Sequence, residues 1–183
     1  MIFGSITSTR RIQSKIGKLT KKKSKMGIRT HNNVTMGIDP GKAGGIAVLE
    51  GDTLHTYSMP STYPDTFEVL KGLQEEFGIT KCVIERVGLG LPGQSSKATA
   101  TFARHCGHLE MALYALGIQT EEVTPQKWQK HYSNSIGTAK GLTKTEWKNK
   151  LKGLAQRLYP RVKVTLNTAD AILLAHYGKM NNL

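Results

Sequence analysis

The segment Met36-Gly-Ile-Asp-Pro-Gly-Lys-Ala-Gly-Gly-Ile-Ala-Val-Leu49 places a single acid, Asp39, inside an apolar run and directly before a Pro-Gly step. Such a run, interrupted only by turn residues, predicts a buried strand, a glycine turn and a second buried strand. Asp39 then ends the first strand and points off its edge. Burying an unpaired carboxylate costs several kcal/mol or forces it to take up a proton, so the position calls for a compensating partner, and a bound cation is one. Two more acids stand in similar surroundings. Glu85 closes Cys82-Val-Ile-Glu85, and Asp170 lies within Asn167-Thr-Ala-Asp-Ala-Ile-Leu-Leu-Ala175.

Periodicity sets out the rest of the chain. Val34 to Asp39, Gly45 to Glu50 and Thr53 to Ser58 alternate as strands with a Gly-Asp turn at 51 and 52, which predicts a three-strand antiparallel meander. Phe67, Leu70, Leu73 and Phe77 recur at helical steps from Pro64 onward, with Gly78 as the stop. Lys81 to Arg86 returns to the sheet. A helix from Lys97 to Leu116, a strand from Ile118 to Val123 and a short helix opened by Pro125 follow. Ser133 to Gly141 carries turn and glycine signals and is expected to be a mobile loop. Thr143 to Glu146 is a capping box that starts a basic helix ending near Leu158. The last helix is expected to be capped by Asn167, to carry Asp170 in its first turn and to stop at Gly178. The fold class is therefore α/β, a mixed central sheet with an antiparallel three-strand meander and flanking helices.

At 183 residues the chain suffices for one compact domain, expected over residues 34–183. Its formal net charge of +13 is unevenly placed. Residues 1–35 hold nine Lys and Arg and no acid; taking these from the total of 26 leaves 17 basic against 13 acidic residues in the remainder. The folded part is thus only modestly basic, and composition alone does not establish a nucleic-acid partner. Residues 1–33 read as a basic arm that grips phosphates, as an organelle transit peptide over residues 1–35, or as an extension ahead of a true start at Met26 or Met36. Cys82 and Cys106 lack CxxC spacing, against a zinc or redox pair. No apolar stretch approaches the ~20 residues that cross a bilayer. An intracellular, soluble protein is expected, with no membrane partner and no small-molecule cofactor.

Asp39, Glu85 and Asp170 all fall where the element order brings them to one end of the sheet. Hard divalent cations take oxygen ligands, and three acids without a histidine cluster suit Mg2+ or Mn2+ rather than Zn2+. Two such ions can activate water and stabilise the leaving oxygen of a phosphodiester, so the trio predicts a metal-dependent phosphodiester enzyme. Each acid also has an ordinary structural reading. Asp39 can serve as a turn residue, Glu85 can pair with Arg86 or Lys81, and Asp170 can complement a helix dipole.

Taken in order, Gly37-Ile-Asp-Pro-Gly with its Gly-Ile-Ala-Val strand, Val83-Ile-Glu85 and Ala169-Asp-Ala-Ile-Leu-Leu-Ala175 resemble the RuvC-type Holliday junction resolvases of the RNase H-like superfamily over residues 36–178. The Ala-Asp-Ala motif and its Tyr-Gly ending are most similar to phage and plastid members. The resemblance implies an RNase H-like fold and a homodimer on branched DNA, nicking two opposed strands of a four-way junction to leave 5′-phosphate ends. It assigns Asp39, Glu85 and Asp170 to metal binding, with two Mg2+ or Mn2+ ions per site. It also implies bacterial cytoplasm for a phage-encoded chain, or an organelle. Many bacterial members carry a fourth acid where this chain has Asn167, which can ligate through its carbonyl but adds no charge.

Lys140, Lys144, Lys148 and Lys152 recur every four residues and can track phosphates along one side, or simply form a solvated face. Lys144 is the residue expected nearest the scissile phosphate. Leu89 and Leu91, in the glycine-rich stretch after Glu85, can wedge into an opened junction or fold back on the domain. Trp128 and Trp147 suit base stacking or helix packing equally. His105, His108, His131 and His176 lack ligand spacing. Three rival readings remain: an RNase H-like nuclease for RNA or RNA-DNA hybrids, a non-catalytic basic DNA-binding protein, and an actin-like phosphotransferase, which the chain is too short to complete with a second lobe.

Overall fold

The computed structural model describes residues 34–86, 88 and 95–183. The basic arm and the wedge residues Leu89 and Leu91 lie outside them. Strands β1 (Val34–Asp39), β2 (Gly45–Glu50) and β3 (Thr53–Ser58) form the expected antiparallel meander. Strands β4 (Lys81–Glu85) and β5 (Gln119–Val123) add in parallel on the far side of β1, giving the order β3-β2-β1-β4-β5. The connections that make parallel pairing possible are helices α1 (Tyr63–Phe77) and α2 (Ser96–Ala115).

The two-residue period of the strands sorts the core into two layers. Met36, Ile38, Ile46, Val48, Cys82 and Ile84 turn toward α1 and α2, where Leu70, Leu73, Leu109 and Leu113 meet them. The intervening residues Ala47, Leu49, Val83 and Val123 turn to the opposite layer. That layer is built by α3 (Pro125–His131), α4 (Ser133–Ile136), α5 (Lys144–Leu158) and α6 (Leu166–Met180). Helix α6 is buried along nearly its whole length, as its run of Ala, Ile and Leu requires.

Packing corrects three expectations. Thr165, not Asn167, caps α6: its hydroxyl accepts from the Thr168 amide, and Thr168 reaches back to the Thr165 amide in a capping box. Asp170 therefore sits in the second turn, not the first. Gly178 lies inside the helix rather than stopping it. A Cβ there would stand 2.7 Å from side-chain carbons of Thr35 and Val83, so the residue is small because α6 presses on the sheet. The third change concerns Ser133 to Gly141. Residues Ser133–Ile136 form a one-turn helix, with Ile136 and Leu142 packed against the core beneath α5.

Candidate active site

Strand pairing alone brings two of the acids together. In the parallel register Met36 faces Cys82, Gly37 faces Val83 and Ile38 faces Ile84. One step further puts Asp39 beside Glu85 on strands about 4.8 Å apart. Asp39 lies two residues beyond Gly37 and Glu85 two beyond Val83, so both side chains face the α6 layer. The third acid depends on how closely that helix approaches. A Cβ on Gly37 would lie 2.2 Å from the Ala171 carbonyl oxygen, so α6 rests on bare backbone and Asp170 is lowered to the strand ends. Asp170 keeps 1% of its surface and Asp39 9%.

A cation belongs to this cluster. From α5, Lys148 extends its ammonium to Asp170 Oδ2 in a hydrogen-bonded ion pair. The other oxygen of that carboxylate, Oδ1, is buried without a hydrogen-bond partner. Glu85 has a different neighbour: the Trp128 indole Nε1–H donates to its Oε2 across 2.7 Å.

The electrostatics follow from this crowding. Burial first, then repulsion from Asp170 and Glu85, push the Asp39 carboxyl up to about 8 against the opposing pull of Lys148. Burial also raises Glu85; the Trp128 hydrogen bond opposes it, Asp170 adds to it and Lys148 again opposes. For Lys148, burial acts downward, but the charge and hydrogen bond of Asp170, with Asp39 and Glu85 behind them, hold its net value above that of an ordinary lysine.

These residues fit a hard divalent cation by their chemistry. All three acids offer carboxylate oxygens, their mutual repulsion needs positive charge, and Asp170 Oδ1 stands buried and unsatisfied. As they stand, no three His, Cys, Asp or Glu among the described residues are arranged to hold a metal ion. A lysine ammonium sits among the acids instead.

The other predicted residues divide. Asn167 is exposed in the first turn of α6, one turn before Asp170. Lys140 is exposed in the turn ahead of α5, and Lys144 is exposed at its first residue. Lys152 is half-buried one turn past Lys148. It is thus Lys148, not Lys144, that meets the acids, and the lysine column is not a uniformly solvated face. Its neighbours Trp147 and Leu151 are buried, which put Lys148 at the edge of the inward stripe and could have singled it out.

Burial decides between stacking and packing for Trp128: its ring has 0% exposure and its one polar side-chain atom faces Glu85, a role that neither reading contained. Trp147 is buried too, donating its indole N–H to Gln129 Oε1 at 2.9 Å. Neither ring is presented for stacking on a base. His176 lies away from the acids, its Nδ1 3.0 Å from the Tyr132 hydroxyl.

No protein-family model and no curated protein sequence matches the chain. Solved structures do. Thermus thermophilus RuvC in complex with a Holliday junction substrate superposes with a TM-score of 0.58 at 13% identity, covering 81% of this chain and 94% of that one. A second structure of Thermus thermophilus RuvC gives 0.52 at 13% identity, over 81% and 96% of the two chains. The yeast mitochondrial Holliday junction resolvase gives 0.44 at 15% identity, over 91% and 84%. The two RuvC superpositions, with the mixed five-strand sheet, show an α/β fold of the RNase H-like kind, the fold that the ordered motifs imply.

Proposed function

We propose that this protein is a divalent-metal-dependent endonuclease that resolves four-way DNA junctions as a homodimer, through paired nicks that leave 5′-phosphate ends. The observation that supports it is the meeting of Asp39 and Asp170, both buried, with the half-buried Glu85, drawn from three separate elements, at one end of a RuvC-type sheet. Asp39, Glu85 and Asp170 would hold Mg2+ or Mn2+, with the Asn167 carbonyl as a further oxygen; two such ions would supply an activated water and stabilisation of the leaving oxygen. Water adds to the phosphorus, the bond from phosphorus to the 3′ oxygen breaks, and a proton completes the 3′-hydroxyl.

The chain's own residues do the rest. Trp128 holds the Glu85 carboxylate in one orientation from a site closed to water. Lys148 balances the negative charge of the cluster. Lys144 and Lys152, one turn to either side on the same helix, and Lys140 ahead of it would take backbone phosphates beside the acids. Residues 1–33, nine of them basic and none acidic, would add salt-dependent affinity without reading sequence.

The test is to incubate the purified protein with labelled four-way junctions, linear duplex and RNA-DNA hybrid, with and without Mg2+. Symmetric nicks on the junction alone, dependent on the ion, are expected. Preferential cutting of the hybrid would move the protein to RNA processing, and binding without cutting would make it a structural DNA-binding protein.

A further inference from the structure

We propose that Lys148 is a resident counter-cation that competes with the divalent metal for Asp170, and that metal entry releases its ammonium toward the substrate phosphate. The inference rests on the reading of the three acids as a metal site, and deepens it.

Asp170 is almost wholly buried, and one of its two oxygens is already taken by the Lys148 ammonium. Its other oxygen has no partner, so the pairing is incomplete and leaves room for a stronger ligand. Lys148 also feels Asp39 and Glu85, so its single charge serves the whole trio. A divalent ion drawn to the same carboxylates would meet that ammonium as a like charge at close range, and both cannot hold Asp170 at full strength. The lysine can yield. Its side chain is a flexible four-carbon stem with about a third of its surface exposed, at 34%, against 1% for Asp170. It leaves from a helix face that also carries the exposed Lys144, so the freed ammonium joins a row already suited to phosphate. The cost of the exchange falls on metal affinity, while the metal-free protein is spared an uncompensated buried carboxylate.

The expected sign is unusual, because deleting a lysine from the site should tighten metal binding. Lys148→Met and wild type are titrated with Mn2+, following the thermal unfolding midpoint in the absence of DNA. Lys148→Met is expected to bind Mn2+ about 5- to 150-fold more tightly, the ordinary range for coupled ligands, and to melt lower than wild type without metal. Equal or weaker binding by Lys148→Met overturns the proposal.

A measurement on the wild-type protein stands beside it in case the variant does not fold. Saturation with Mn2+ should increase labelling of Lys148 by an amine-reactive reagent, read by peptide mass spectrometry against Lys144 as an internal reference; unchanged or reduced labelling overturns it equally. A wild-type protein whose midpoint does not respond to Mn2+ at all removes the metal reading itself, and is distinguishable from either result.

Discussion

The buried indole of Trp128 donates its N–H to Glu85 Oε2 at 2.7 Å, joining a helix that follows β5 to the last residue of β4. A charge-assisted bond of this length aims the carboxylate as well as solvating it. Trp128→Phe keeps most of the packing and removes the donor. The variant should lose about 1 to 3 kcal/mol of stability and about 10- to 100-fold in divalent-ion affinity or nicking rate. Unfolding curves and Mn2+ titration of the same preparation check it; wild-type affinity in a destabilised protein would confine Trp128 to packing.

Glu85→Gln tests the acid itself. Nicking should fall on the order of a thousandfold, several kcal/mol of transition-state stabilisation, while junction affinity should change little, since the proposed phosphate contacts belong to lysines. Gel-shift and single-turnover assays separate the two effects. A parallel loss of binding would mean that Glu85 acts on the fold or on DNA capture.

Asp39 sets a pH dependence. Its folded value, about 8, exceeds the ordinary 3.8, so the folded state holds this proton more tightly than the unfolded chain. The stability tied to it is complete below the unfolded value and is lost as pH rises through the folded one, at up to about 1.4 kcal/mol per pH unit between them. Glu85, also raised, acts in the same sense. Metal-free wild type should therefore lose stability from pH 5 to pH 8 relative to Asp39→Asn. Melts in chelator across that range check it, and parallel curves for the two proteins would contradict it.

The lysine helix carries an ionic prediction. Replacing Lys144 and Lys152 together by Ala should weaken junction binding and reduce the slope of log affinity against log salt by about 0.9 for each phosphate that is no longer neutralised. Affinity measured at several salt concentrations tests this. An unchanged slope would leave both residues as solvated charges.

Gly37→Ala probes the close approach that builds the site. An added Cβ would stand 2.2 Å from the Ala171 carbonyl and 2.4 Å from the Ala175 amide, both backbone atoms that cannot swing aside. Either β1 or α6 must shift, so the variant should melt well below wild type, and any folded fraction should lose nicking more than junction binding. A wild-type midpoint with full activity would show that α6 sits less tightly than this packing requires.

Much of this architecture was written in short-range pattern. Alternation gave all five strands to within a residue or so, and apolar spacing with capping signals gave the main helices, because those cues act over a few residues. Thr143 and Glu146 close the capping box that their spacing announced. The errors fell where packing overrides local preference. Gly178, a stop signal in isolation, is instead the point where α6 touches Thr35 and Val83. The glycine-bearing segment before α5 took up a helical turn because Ile136 and Leu142 had a core to join.

By itself, then, the sequence settled the order of strands and helices and marked Asp39, Glu85 and Asp170 as acids in apolar surroundings, since periodicity and the cost of burying charge are properties of the local chain. Which other side chains reach them was decided only by tertiary structure. Lys148 meets Asp170 across 22 residues and Trp128 meets Glu85 across 43. Those pairings depend on strand register and on the depth to which α6 settles against Gly37, and no local spacing encodes either distance.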